Sequence, residues 1–154
     1  MIDKILFKET QKFTQWWLWL IVVGVFLISI FQFNWTENIA DQFTTDKIIP
    51  TVISLGLLVL FLALKMTTTI TDTEIIVEYV PFITKKWNWS ELKTAKVIDY
   101  GFVGGWGIRL WTDYGTIYNV KGSKGLHIKT TDKQYVIGTQ NEEELRSKIA
   151  HLLK

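Results

Sequence analysis

The sequence predicts a membrane α-helical hairpin followed by an all-β domain that closes with a C-terminal α-helix. Two observations carry this expectation. The segments 13–33 and 48–64 contain no charged residue and are almost wholly apolar. From residue 65 onward, short apolar runs alternate with turn residues at intervals of about eight to twelve, which is typical of an all-β unit.

The two apolar segments are about as long as a helix that crosses a hydrocarbon core of roughly 30 Å. Buried core helices are the alternative, but a chain of 154 residues is too short to enclose two helices that are apolar all round. Trp16, Trp17 and Trp19 gather at one end of the first segment, where indole rings favour the headgroup level. We therefore predict two membrane spans.

Lysines predict the orientation of the spans, because positive charge stays on the cytoplasmic side. Lys4, Lys8 and Lys12 precede the first span, whereas the loop between the spans carries Lys47 against three acidic residues. Both termini are expected in the cytoplasm of a bacterium, with the protein in its inner membrane. The predicted organisation is a cytoplasmic segment 1–12, a first span 13–33, an external loop 34–47, a second span 48–64 and a cytoplasmic domain 65–154.

Seven strands are predicted in the cytoplasmic domain, at 66–71, 74–80, 93–100, 107–111, 116–120, 125–130 and 134–138. The sixth shows clear alternation, so Leu126 and Ile128 should face a core while His127 and Lys129 face outward.

A final helix is predicted from its capping residues and its apolar face. Asn141 is a favourable N-cap residue, and Glu144 three residues later resembles a capping box. Leu145, Ile149 and Leu152 fall on one face of that helix. We expect the helix to close the open end of a small, partly open barrel.

The region from the run GGWGIR to the final helix resembles a known family. A Gly-Trp-Gly-Ile-Arg run, a Tyr-Asn-Val-x-Gly turn, a Lys-Gly-hydrophobic strand and an Ile-Gly-Thr-Gln step into the helix occur in this order. This order is similar to the C-terminal signature of small bacterial membrane proteins that carry a pleckstrin-homology (PH) domain. The resemblance implies a PH-like domain tethered to the inner membrane, and it implies no reaction.

Few residues point to chemistry. The absence of cysteine excludes disulfides, thiolate metal sites and a thiol nucleophile. His127 and His151 are the only histidines, and neither has a partner at metal-ligand spacing. We predict no catalytic residue, metal, cofactor or small-molecule substrate. A net charge of +2 and the lack of a basic stripe also disfavour nucleic acid.

The glycine-rich run raises the question of a phosphate loop. Its spacing fits neither nucleotide fingerprint, and it leads into a strand rather than into a helix. We interpret the glycines as a bend at the entry of a strand. Trp106, Arg109 and Trp111 then form a candidate interaction surface, with Arg109 able to pair with a carboxylate outside or inside the domain.

The leading functional hypothesis is a non-enzymatic scaffold that binds a protein partner, or a second copy of itself, at the cytoplasmic membrane face. The alternative is a sensor of anionic lipid headgroups, because residues 65–154 carry thirteen basic against ten acidic residues. The candidate headgroup residues are Lys85, Lys86, Lys121 and Lys124. The acidic turn 71–74 argues against inositol phosphate as the headgroup.

Overall fold

The computed structural model describes residues 4–33 and 43–154. The chain divides into two compact units. One unit combines Met1–Lys12 with Lys65–Lys154, and the other is Phe13–Leu64.

The second unit contains two apolar helices, α1 (Trp16–Phe31) and α2 (Thr45–Ala63). By length and composition, α2 is able to cross a membrane. Helix α1 is also apolar but has 16 residues, fewer than the 21 of the predicted segment 13–33. Ser29 and Ser54 are the buried residues of these helices, and their hydroxyl oxygens lie 2.8 Å apart. Most of the predicted external loop 34–47 lies outside the described residues.

Within residues 4–12 and 65–154, the first unit contains nine strands and a final α-helix. They are β1 (Ile5–Lys12), β2 (Lys65–Thr71), β3 (Glu74–Val80), β4 (Ile83–Asn88), β5 (Thr94–Asp99), β6 (Gly107–Thr112), β7 (Gly115–Asn119), β8 (Lys124–Lys129), β9 (Gln134–Gly138) and α3 (Glu142–Ile149). The first sheet has the order β1-β2-β3-β4 and is antiparallel. The second sheet has the order β5-β8-β9-β7-β6, with β7 and β9 parallel. Within the described part of the chain neither sheet closes on itself. The sequence predicted a seven-stranded, partly open barrel, and the structure instead has nine strands in two open sheets.

Two of the nine strands were not predicted, because their inward faces are not apolar throughout. In β1 the buried positions are Phe7, Glu9 and Gln11, so two polar side chains interrupt the apolar alternation. In β4 the three residues before Trp87 are exposed and polar. The other seven strands lie within two residues of their predicted ends. β1 also places the segment 1–12 in the β-rich unit, which the sequence analysis had separated from it.

Glu9 and Gln11 explain how β1 is attached to the second sheet. The Glu9 carboxylate accepts hydrogen bonds from the Thr139 hydroxyl (2.7 Å) and from the Gln140 backbone N–H (2.9 Å). The Gln11 side-chain amide donates to the Gly138 carbonyl at 2.8 Å and to Glu9 at 3.2 Å. These bonds compensate the desolvation of buried polar groups.

The core lies between the two sheets. From the first sheet it receives Met66, Ile70, Ile75 and Val77, and from the second it receives Leu126, Ile128 and Ile137. Leu126 and Ile128 are therefore buried as predicted, and Lys129 is exposed. His127 lies on the strand face opposite Leu126 and Ile128, as predicted, but it is half-buried there because the end of the β6–β7 hairpin lies beside it.

Helix α3 buries Leu145 and Ile149, as its apolar face predicts. The predicted capping box is wrong: Asn141 stands at the N-cap, but its side chain makes no capping hydrogen bond. The Asn141 backbone N–H instead donates to the Thr139 hydroxyl at 3.0 Å. Thr139 thus serves both the start of α3 and the Glu9 carboxylate.

Candidate functional site

The glycine run forms the loop that joins β5 to β6. Gly101, Gly104, Gly105 and Gly107 all have positive φ, between 68° and 133°. Residues other than glycine rarely adopt positive φ, so the loop requires glycine at these positions. The run therefore bends the backbone into β6, as the sequence analysis proposed.

Asn119, at the end of β7, holds this loop in place. Its side-chain oxygen accepts the Gly107 backbone N–H at 3.0 Å, and its side-chain amide donates to the Tyr100 hydroxyl at 3.1 Å. The Tyr79 hydroxyl donates to the Asn119 carbonyl at 3.4 Å. Asn119 is 1% exposed, so its bonds with the two tyrosines are buried, and its bond with Gly107 is partly buried. We call this group, Tyr79, Tyr100, Gly107 and Asn119, the Asn119 corner.

The corner leaves room for Asn119 only because β9 ends in glycine. A Cβ at Gly138 would lie 2.8 Å from the Asn119 Cβ and 3.2 Å from the Tyr100 hydroxyl. Such contacts are too close to be tolerated without movement of the backbone. Gly138 is therefore a packing glycine, and the sequence analysis did not identify it.

The β6–β7 hairpin contains a bulge at its outer end. Arg109 pairs with Ile117 and Thr112 pairs with Gly115, so Leu110 and Trp111 together oppose one residue, Thr116. Bulges of this kind redirect side chains and interrupt strand pairing. Here β6 is also an edge strand of its sheet.

Trp111 is the unusual residue of the bulge. Its φ is 56°, and it is the only non-glycine residue with positive φ in the part of the chain that the structure describes. Its side chain is 94% exposed. A bulky residue in this conformation costs about 1–2 kcal/mol, and Trp111 gains little packing in return.

A cleft of about 610 Å³ lies between the glycine loop and the outer end of this hairpin. We call it the Arg109 cleft. Six of its ten lining residues are aromatic or aliphatic, but polar atoms make up more of its exposed lining than apolar atoms do. The residues that line it are Tyr100, Phe102, Val103, Gly104, Arg109, Leu110, Trp111, Thr112, Asp113 and Tyr114.

Arg109 provides the positive charge of the cleft. Its guanidinium lies directly against Gly105, where a Cβ would overlap Nη2. Arg109 Nε is buried and has no hydrogen-bond acceptor among residues 4–33 and 43–154. In the same ranges no carboxylate forms an ion pair with Arg109. The intradomain pair that the sequence left open is thus not formed with any carboxylate that the structure describes.

Of the three residues predicted for an interaction surface, Arg109 and Trp111 line this cleft together. Trp106 does not line it, and its ring instead meets Phe102 edge-to-face, with centroids 6.5 Å apart. Phe102 is 79% exposed and Leu110 is 52% exposed, and both belong to the cleft. The sequence analysis missed them, although each is a large apolar residue next to the glycine run.

The four lysines predicted to contact lipid differ in their surroundings. Lys85 and Lys86 are neighbours on β4 and so point to opposite faces of the sheet. Lys124 forms an ion pair with Glu142, which raises the pKa of Lys124 and lowers that of Glu142. Lys121 is exposed in the turn before β8.

The two histidines differ in their surroundings. His127 contacts the Tyr114 ring edge-to-face and lies 3.2 Å from the Gln134 side-chain oxygen, and burial lowers its pKa. His151 is exposed, 3.7 Å from an Asp72 carboxylate oxygen. Within the described ranges, no three His, Asp or Glu side chains come together as metal ligands would.

Comparison with known proteins finds no matching family model, no matching curated protein and no matching solved structure.

Proposed function

We propose that this chain is a membrane-anchored interaction module, with a PH-like β unit that binds a protein partner through the Arg109 cleft. In this proposal the protein is not an enzyme. It resides in the bacterial inner membrane with both termini in the cytoplasm, and the partner is another protein or a second copy of the chain.

The observation that carries the proposal is the conformation of Trp111. A large apolar side chain is held in a strained backbone conformation and is exposed to solvent. Strain of this kind persists where it serves a function, because substitution would otherwise relieve it. Exposed tryptophan beside arginine is also the composition of binding hot spots.

The anchoring part of the proposal rests on the helices. Helix α2 has the length and composition of a membrane span. α1 contains no charged residue, and the exposed residues of both helices are mainly apolar. The PH-like assignment rests on the sequence resemblance, with two sheets and a C-terminal helix in its support.

Site-specific photo-crosslinking in native membranes tests the proposed surface. A photoreactive residue replaces Trp111 in the full chain, and the matched control replaces Phe82, an exposed aromatic residue in the β3–β4 turn that does not line the cleft. We expect a discrete adduct from position 111 and none from position 82. The adduct mass distinguishes a second copy from another protein.

Two results would contradict the proposal. The first is the absence of any adduct from position 111. The second is the same set of adducts from positions 111 and 82, which would indicate random collision.

The lipid alternative receives less support, because Lys124 is paired and the β4 lysines diverge. It is tested by hydrogen exchange on the full chain in nanodiscs of neutral or anionic lipid. A lipid sensor would show added protection around Lys85, Lys86 and Lys121 in anionic nanodiscs only. Equal protection in the two lipids would eliminate it.

A further inference from the structure

We infer that the Arg109 cleft binds the C-terminal carboxylate of a peptide that ends in an apolar residue. This inference rests on the proposed function, since it names the chemical group that the partner contributes. The reasoning starts from the charge of the cleft and then considers the shape of its walls.

The charge of the cleft fits a monoanion. Among the described residues that line it, Arg109 is the only cation and Asp113 the only carboxylate. A phosphate dianion would meet a single positive charge and one opposing negative charge. A carboxylate carries one charge, and its two oxygens match the planar fork of a guanidinium.

Arg109 is prepared for such a ligand. Its Nε–H is buried without an acceptor in the described ranges, and an unsatisfied buried donor costs about 1–3 kcal/mol. Gly105 lets the Nη2 end of the guanidinium approach the loop backbone closely, and this contact limits the rotamers of Arg109 before a ligand arrives. A bound carboxylate would satisfy the donors of the guanidinium at a small additional cost in side-chain entropy.

The walls select the residue that carries the carboxylate. Phe102, Leu110 and Trp111 are exposed and apolar, and they border the same cleft as Arg109. In a C-terminal residue the carboxylate and the side chain leave the same Cα, so both groups enter one small cleft together. In an aspartate or glutamate within a chain, the side-chain carboxylate is attached to a methylene carbon that carries no apolar side chain.

Nitrogen-15 NMR of arginine side chains offers a direct test, because the chain contains only two arginines, Arg109 and Arg146. The full chain is labelled at arginine Nε and placed in nanodiscs, and the Arg146→Gln variant assigns the two signals. The probe is acetyl-Gly-Gly-Leu as the free acid. Its C-terminal amide is the matched control, and acetyl-Gly-Glu-Gly amide represents a side-chain carboxylate.

We expect the free acid to shift the Arg109 Nε signal and to leave the Arg146 signal in place. The free acid should bind at least about tenfold more tightly than its amide, which corresponds to the loss of one charge-assisted hydrogen-bonded pair. The Arg109→Gln variant should bind acid and amide equally, whereas Arg146→Gln should retain the preference. The shift in the wild-type chain gives the result even if Arg109→Gln does not fold.

Three outcomes would overturn the inference: equal binding of acid and amide, a shift of Arg146 alone, or an equal shift of Arg109 with the glutamate peptide. None of them touches the crosslinking at position 111. If that adduct persists while acid and amide bind equally, the interaction surface stands and only the carboxylate ligand falls. If the adduct is absent and the acid still shifts Arg109, the cleft binds carboxylates without the proposed protein partner.

Discussion

The two ends of the β6–β7 hairpin differ in how their side chains are buried and paired. At one end, the Asn119 corner buries its polar groups and gives them hydrogen-bond partners, and glycines make room for them. At the other end, the bulge leaves Leu110 and Trp111 exposed, and Trp111 is held at positive φ. Fewer than ten residues of chain separate these environments.

The difference separates a structural role from a functional one. Every unusual feature of the corner is explained by packing, because each close approach or positive φ serves a bond that the fold uses. The bulge has no such explanation, since its strain is not compensated by contacts within the chain. A residue that destabilises the fold and makes few contacts within it is a better candidate for binding than a residue of the Asn119 corner.

The largest effect on stability is expected from Asn119→Ala. The substitution removes the side-chain acceptor of the Gly107 N–H and the amide that donates to the Tyr100 hydroxyl, while that hydroxyl keeps its bond to the Gly122 carbonyl. We expect a cost of about 1–3 kcal/mol in total. For a β unit of this size, a loss of about 2 kcal/mol lowers Tm by about 10 °C. Thermal unfolding of the full chain in nanodiscs measures this shift.

Asn88→Ala is the control for that experiment. The Asn88 side-chain amide donates to Glu91 at 2.9 Å, but on the exposed surface, so its loss should change Tm little. If both variants melt alike, the corner does not stabilise the glycine loop and the contrast with the bulge disappears.

A smaller effect of opposite sign is expected from Trp111→Gly. Glycine adopts positive φ without strain, and the gain of about 1–2 kcal/mol is reduced by the flexibility that glycine adds to the unfolded chain. We expect Tm to rise by a few degrees while crosslinking from neighbouring Leu110 decreases.

The matched control is Phe102→Ala, which also removes an exposed aromatic ring from the cleft but at a residue of ordinary φ. Its Tm should not rise. A fall in Tm for Trp111→Gly would mean that the indole stabilises the fold, and the argument from strain would fail.

The parts of the fold that were predictable from sequence are those in which one pattern dominates. Seven strands follow from short apolar runs between turn residues, and helix α3 follows from one apolar helical face. β1 was missed because Glu9 and Gln11 occupy its buried face, and their burial depends on Thr139 and Gln140, far away in the chain. A pairing between distant polar residues leaves no local pattern.

The candidate site was predictable in the same limited way. Arg109 and Trp111 stand out by residue type beside a glycine run. Asn119 does not, because its importance comes from three contacts that only the folded sheet creates. The bulge was equally hidden, since the extra residue in β6 is defined by its register with β7.

The smallest effect on stability is expected from His127, which contacts the outer end of the hairpin and the neighbouring strand β9. It contacts Tyr114, and its partner Gln134 donates to the Asp113 carbonyl at 2.8 Å. Burial lowers the pKa of His127 below its ordinary value of 6.5, so the folded state favours the neutral ring. The unfolded chain then binds more protons in the interval between the two pKa values, and stability falls as the pH decreases below about 6.5.

The His127→Gln variant should lose this pH dependence, because glutamine keeps a polar contact with Gln134 and does not titrate. The His127 ring is half-exposed and solvent screens its charge, so the difference in Tm between pH 7.5 and 5.0 should decrease by only about 1–2 °C. His151→Gln, at an exposed position, is the control. If the dependence of Tm on pH is the same in His127→Gln and in the wild type, the burial of His127 against the outer end of the hairpin does not contribute to stability. The bulge would then be supported by fewer contacts than the structure indicates.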